Sequence, residues 1–155
     1  MDGSGEMTGD STRCVHSALD PEVTTGAVHT PIFQTSTYVQ KDFADHLGYE
    51  YARGDNPTRN ALQRALAELE SPNQPAHGFC FSSGMAAITT ISQMLKQGDH
   101  VIACDDLYGG TVRLFDQIAS RFGIETTYSP LKNGDLSNVI RENSKILWLE
   151  TPTNP

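Results

Sequence analysis

The stretch FCFSSGMAAITT, Phe79–Thr90, changes character halfway along. It opens as a short apolar run, passes through two serines and a glycine, and resumes as a helix former. A bare corner of this kind has two readings. It is a tight connection in an α/β core, or it is a seat for an anion, because a helix start directs free N–H groups and the positive end of its dipole outward. Serine and glycine open many helices with nothing bound, so taken alone the corner reads first as a bare turn. Neither GxxxxGK[ST] nor GxGxxG occurs, so nothing supports a nucleoside triphosphate or a dinucleotide as ligand.

Outward from this corner the chain alternates. HGFCF leads to a helix from about Gly84 to Lys96, and QGD turns the chain into HVIAC. YGGTVRLFDQIASRF follows as a second helix, FGIETTY as a third strand, GDLSNVIREN as a short helix and KILWLE as a fourth strand. Strands and helices alternating over short connections predict a parallel sheet with helices on both faces. Upstream, NPTRNALQRALAELE predicts a helix with Pro57 in its first turn and Leu62, Ala65, Leu66 and Leu69 on one apolar face. Thr12–Leu19 predicts a short helix, ended by Asp20-Pro21. Gly26–Gln40, broken by Pro31, reads as an extended arm of the sort that packs on a partner subunit. The expected organisation is a disordered tail at 1–11, an arm for subunit contacts at 12–56 and an incomplete α/β domain at 57–155. Ile146–Leu149 wants neighbours on both sides and the sequence stops soon after, so the chain reads as the front part of a longer protein.

Composition narrows the function classes. The 155 residues are 37% hydrophobic and 19% charged, which describes an ordinary globular protein. No apolar run approaches the roughly twenty residues that span a bilayer. The net charge of −8 is gathered near the N-terminus: Arg13 and Lys41 face eight acidic residues within the first 50. That distribution argues against sequence-independent nucleic-acid binding. The start, MDGSGEMTGDS, is acidic and glycine-rich, unlike a secretory or mitochondrial leader. Cys14, Cys80 and Cys104 are odd in number and lack CxxC spacing, which suggests neither zinc nor a disulfide framework and makes a reducing cytoplasm the simplest location.

In a parallel α/β sheet, ligands sit at the carboxyl ends of the strands. Ser82–Met85, Asp105–Gly110 and Glu150–Asn154 all fall there and are expected to share one rim. Tyr108, before Gly109-Gly110, suits the face of a planar ring with its hydroxyl free for proton transfer, or packs on its own helix. Arg113 could hold a carboxylate, or is a solvated helix charge. YEYARGDNPTR, Tyr49–Arg59, holds Tyr51 and Arg53 in alternation, which in an extended segment aims both the same way as a phosphate clamp. The alternative is a polar turn with an Arg53–Asp55 ion pair.

YEYARGDNPTRNALQ, FSSGMAA, DDLYGGTVRLF and LETPTNP, in this order and spacing, resemble the Cys/Met-metabolism family of pyridoxal-phosphate (PLP) enzymes, with a likeness covering about residues 12–155. The resemblance implies an aspartate-aminotransferase-like fold (fold type I), truncated here, with PLP as cofactor and assembly as a tetramer of paired dimers. It also implies site roles. Gly84 and Met85 amides hold the cofactor phosphate, and Tyr51 and Arg53 reach the phosphate of the neighbouring subunit. Tyr108 stacks on the pyridine ring and moves protons, Asn154 bonds the ring hydroxyl, and Arg53, Tyr108, Arg113 and Glu150 face the amino-acid substrate. With these roles the corner at Phe79–Thr90 reads as an anion seat.

Within the family the residues look most like the members that split cystathionine at its γ-carbon into cysteine, 2-oxobutanoate and ammonia, with γ-synthase, another lyase or a sulfhydrylase as alternatives. In the family's methionine γ-lyases the second glycine of LYGG is commonly cysteine, so Gly110 disfavours that activity. In the family the Schiff-base lysine and the acid that protonates the ring nitrogen both lie beyond the segment matching LETPTNP, so the resemblance implies that neither falls in this sequence. Lys41, Lys96, Lys132 and Lys145 do not stand on the expected rim, so the chain alone is expected to carry half a site and to be inactive. A non-catalytic fragment that assembles with full-length subunits is the reading of another class. No metal site and no nucleic-acid or membrane partner is expected.

Overall fold

A computed structural model describes residues 9–131 and 134–153, and the chain parts into two units, Met1–Cys80 and Phe81–Pro155.

In the first unit, α1 spans Asp10–His16, ending earlier than the expected Thr12–Leu19 helix. A small antiparallel hairpin, β1 (Gln40–Asp42) and β2 (Asp45–His46), was not foreseen. Helix α2 covers Pro57–Glu70. Its start is well determined: the Asn56 side-chain oxygen accepts from the N–H groups of Thr58 (2.9 Å) and Arg59 (3.4 Å), and Pro57 lacks an N–H that would otherwise need a partner. A cap of this type is worth about 1 kcal/mol.

The same turn grips the arm. Asn56 Nδ2 donates to the Phe33 carbonyl (3.1 Å), and Thr58 Oγ1 donates to the Pro31 carbonyl (3.0 Å) while accepting from the Phe33 N–H (2.9 Å). The arm is therefore fixed by polar bonds, and its apolar side chains point outward: Ile32 is 78% and Val39 79% exposed. The apolar stripe predicted for α2 is also uncovered at Leu62 and Leu66. Periodicity identified the helix, and Ala65 and Leu69 of the same stripe are partly buried. HGFCF forms no strand among the described residues. A strand needs a partner backbone for its ladder, and the Cys80 N–H instead meets the Gln63 side-chain oxygen at 2.9 Å.

In the second unit, α3 spans Gly84–Ser92. It stops short of Lys96 because the hydroxyls of Thr90 and Ser92 turn back onto the carbonyls of Ala86 (2.8 Å) and Thr89 (2.7 Å). Strand β3 (His100–Cys104) is central, with β4 (Glu125–Ser129) and β5 (Ser144–Trp148) parallel on either side in the order β4-β3-β5. Between β3 and β4 runs one helical segment of three windings: α4 (Gly109–Arg113), a wide π turn (Leu114–Ile118) and a 3₁₀ turn (Ala119–Phe122). It closes on Gly123, whose φ of 72° suits a residue without Cβ.

This segment covers one face of the sheet. Phe115 and Ala119 join Val101, Ala103 and Ile124 in the core, flanked by Tyr128, Ile146 and Trp148. The Phe115 and Trp148 rings meet edge to face, 5.5 Å between centroids. Tyr128 donates to Asp116 Oδ1 (2.8 Å), and burial followed by this bond pushes its phenol pKa upward. The helix expected at GDLSNVIREN is a single turn: the Leu136 carbonyl accepts from Val139 and Ile140, and Asp135 bonds the Ser137 N–H (2.9 Å). Asp and Ser offer the backbone these local bonds in competition with a helix.

At the amino end of the sheet one buried histidine joins all three strands. His100 is fully buried, with Nδ1 2.8 Å from Ser144 Oγ and Nε2 2.9 Å from Thr127 Oγ1. Arg141 donates to both hydroxyls, through its backbone N–H to Ser144 and its guanidinium to Thr127. Burial, then the Arg141 charge, lower the His100 pKa below the ordinary 6.5, against a smaller opposing pull from Glu125. Between the lowered folded value and 6.5 the unfolded chain binds more protons, so stability falls as pH drops through that window. Denaturation series should therefore show the chain weakening below pH 6.5, and His100→Gln, which cannot titrate, should flatten that slope. An unchanged slope in the variant would remove His100 from the account.

Candidate functional site

The site is built at the carboxyl edge of the second unit's sheet. Ser83 is extended (φ −157°, ψ 158°) and its hydroxyl accepts from the Ala86 N–H at 3.1 Å, capping α3. The N–H groups of Gly84 and Met85, in the first turn of α3, have no partner within the helix. Nothing lies within 4 Å of the position a Cβ would take on Gly84. Gly84 thus leaves its side of the helix start bare, where first-turn amides and the positive end of the dipole suit an anion.

Tyr108 stands beside them. Its carbonyl accepts from the Thr111 N–H (2.9 Å) and so begins α4, and its ring is 40% exposed. A Cβ on Gly110 would collide with the Tyr108 Cε1 atom and would lie 2.9 Å from Met85 Sδ and 3.0 Å from Tyr108 Cδ1. The ring edge and the Met85 thioether therefore meet over one bare stretch of backbone, and the anion seat and the aromatic platform adjoin. Arg113 ends α4 and folds back over Gly109, its Nη1 3.4 Å from where a Cβ would be. Glu150, just past β5, accepts the Tyr108 N–H at 2.8 Å. Asn154 lies outside the described residues.

Tyr51 and Arg53 belong to the first unit. The segment is a turn, not extended: the Tyr51 carbonyl accepts from the N–H groups of Gly54 and Asp55, both at 3.0 Å. The two side chains still come together, the Arg53 guanidinium carbon 5.2 Å from the centre of the Tyr51 ring. The Arg53–Asp55 ion pair is not formed. Asp55 lies 4.0 Å from Arg59, which donates to the carbonyls of Ala52 (3.1 Å) and Gly54 (2.6 Å) and so braces the turn that presents Arg53. Sequence reasoning passed over Arg59, Ser83 as cap, and a bond from Thr153 Oγ1 to Asp106 Oδ2 (2.8 Å). Ser83 was readable from Ser-Gly before a helix, whereas the other two depend on long-range folding. Lys96 and Lys145 stand at the amino end of the strands, opposite this rim.

A parallel α/β sheet whose carboxyl edge combines a helix-end anion seat with an adjoining aromatic platform has the architecture of a fold type I PLP enzyme. Residues 11–155 match the model of the Cys/Met metabolism PLP-dependent enzyme family, and the chain belongs to it. It is 49% identical to a probable cystathionine γ-synthase of Herpetosiphon aurantiacus over 95% of this chain and 46% of that protein. Identity to a cystathionine β-lyase of Coxiella burnetii is 46%, over 93% of this chain and 37% of that protein. The crystal structure of cystathionine γ-lyase from Lactobacillus plantarum complexed with L-serine superposes with a TM-score of 0.86 at 38% identity, covering 95% of this chain and 38% of the other. The chain thus spans less than half the length of these relatives.

The floor of the platform is testable. Gly110→Ala should force the Tyr108 ring aside and weaken PLP binding by about ten- to a hundredfold, the scale of overpacking a tight contact. Gly109→Ala, facing only a flexible guanidinium, should cost far less. Equal losses in PLP titrations of the two variants would discount the close contact.

Proposed function

We propose that the protein to which this chain belongs is a PLP-dependent carbon–sulfur lyase that splits cystathionine at the γ-carbon, consuming water and giving cysteine, 2-oxobutanoate and ammonia. The observation that carries the reading is the adjacency of open Gly84 and Met85 amides to the Tyr108 ring. The Gly84 and Met85 amides would hold the cofactor phosphate, and Tyr108 would hold its ring. Bound there, PLP supplies an electron sink for the substrate α-carbon. The Tyr108 hydroxyl moves a proton at the substrate, the Arg113 guanidinium holds the substrate carboxylate, and Glu150 stands by the amine end. Tyr51 and Arg53 complete the phosphate site of a neighbouring subunit in a homotetramer, and Asn154 bonds the ring hydroxyl.

The lysine that would anchor the cofactor is neither Lys96 nor Lys145, which stand at the amino end of the strands. Gly110, where the family's methionine γ-lyases commonly have cysteine, favours cystathionine over methionine as substrate. A cytoplasmic setting fits three unpaired cysteines.

The test is turnover of cystathionine by the whole protein with PLP. Cysteine and 2-oxobutanoate are expected. Homocysteine and pyruvate would move the assignment to β-cleavage, and no cofactor-dependent product would end it. Tyr108→Phe should lower kcat by about a hundredfold or more, the usual worth of a positioned acid–base group.

A further inference from the structure

Two side-chain bonds tie the loop after β3 to the loop after β5. The Glu150 carboxylate accepts the Tyr108 N–H at 2.8 Å, and the Thr153 hydroxyl donates to Asp106 Oδ2, also at 2.8 Å. Both act on the three-residue stretch that delivers the Tyr108 ring to the rim. The Tyr108 carbonyl is already engaged by α4, through the Thr111 N–H at 2.9 Å. Its N–H points away from that helix and has no helical partner, as for any residue at a helix start. Without Glu150 the peptide group before Tyr108 could rotate, carrying the ring off Gly110.

We propose that Glu150 is a positioning residue for Tyr108, with Asp106–Thr153 as a second strap on the same loop. This goes beyond a contact with the substrate amine. It rests on the functional reading above only for its consequence in catalysis, because the strap itself is a property of the protein. The chemistry separates the two roles. Holding an amide N–H requires a hydrogen-bond acceptor, and the amide oxygen of glutamine serves. Attracting an ammonium group requires the negative charge, and glutamine does not serve. Thr153→Ser keeps the hydroxyl donor of the second strap, whereas Thr153→Val keeps the shape and loses the donor.

Amide hydrogen exchange at Tyr108, followed by NMR in the purified protein with and without PLP, reads the strap independently of turnover. Glu150→Ala should speed exchange at Tyr108 by about ten- to a hundredfold, as expected for loss of a bond to a charged acceptor. Exchange at Val101 and Ile102 in the central strand should be unmoved, which excludes general loosening. Glu150→Gln should restore most of the protection, because the amide oxygen still accepts the Tyr108 N–H. Thr153→Val combined with Glu150→Ala should loosen the loop further than either alone, with Thr153→Ser neutral. Unchanged Tyr108 exchange in Glu150→Ala would overturn the proposal, as would a Glu150→Gln variant as unprotected as Glu150→Ala. Intact exchange effects in a protein that does not split cystathionine would sink the functional reading and leave the strap standing.

Discussion

Parallel pairing of β3 on both sides sets the position of everything at the rim. Its partners run alongside, His100 beside Glu125 and Ser144, Ala103 beside Tyr128 and Trp148, with one irregularity against β5 between His100 and Val101. Three strands pointing one way deliver their following loops to one edge, and only there can Tyr108 and Glu150, 42 residues apart, bond each other. The opposite edge is held by His100 and its two hydroxyl partners. A neutral imidazole suits this role, since it donates with one nitrogen and accepts with the other where the ring is fully buried. Structural polarity is thus kept at the amino edge and ligand-facing polarity at the carboxyl edge.

The rim gains its shape as much from missing atoms as from present ones. Gly84 leaves space before two amides, and Gly110 leaves space under an aromatic ring. An anion seat built from backbone needs no side-chain charge, so a protein with net charge −8 can still hold a phosphate by local donors. In the first unit a different economy holds. Arg59 spends its donors on carbonyls of the turn, leaving Arg53 in none of the ion pairs among the described residues and laid on the Tyr51 ring.

Much of this was legible in the sequence where the signal is local. Asn56-Pro57 marked a helix start because a cap and a missing N–H act within three residues, and FSSGMAA marked another. The parallel β3–β5 set followed from short alternating segments. What failed was whatever depends on a partner. HGFCF looks like a strand, yet the described residues offer it no ladder. Leu62 and Leu66 form a good apolar stripe, but a stripe does not reveal what covers it. GDLSNVIREN has helical apolar spacing, and its Asp and Ser side chains won the local contest. At the rim, the helix starts at Gly84 and just after Tyr108 were readable from local sequence, whereas the bonds from Glu150 and Thr153 span more than forty residues and leave no trace in spacing.

The wide turn at Leu114–Ile118 has a consequence for how such a rim can change. In a regular α-helix, residues four apart drift by about 40° around the axis, so a third such residue would leave the sheet. Thr111, Phe115 and Ala119 are nonetheless all buried, while Ile118 is not. The slack winding cancels the drift and keeps the three in phase. A single deletion between Phe115 and Ala119 would tighten the winding to ordinary pitch and turn Thr111 and Phe115 together about the axis relative to Ala119. The pitch of this one winding thus sets the angle at which the Tyr108 end of the segment meets the sheet.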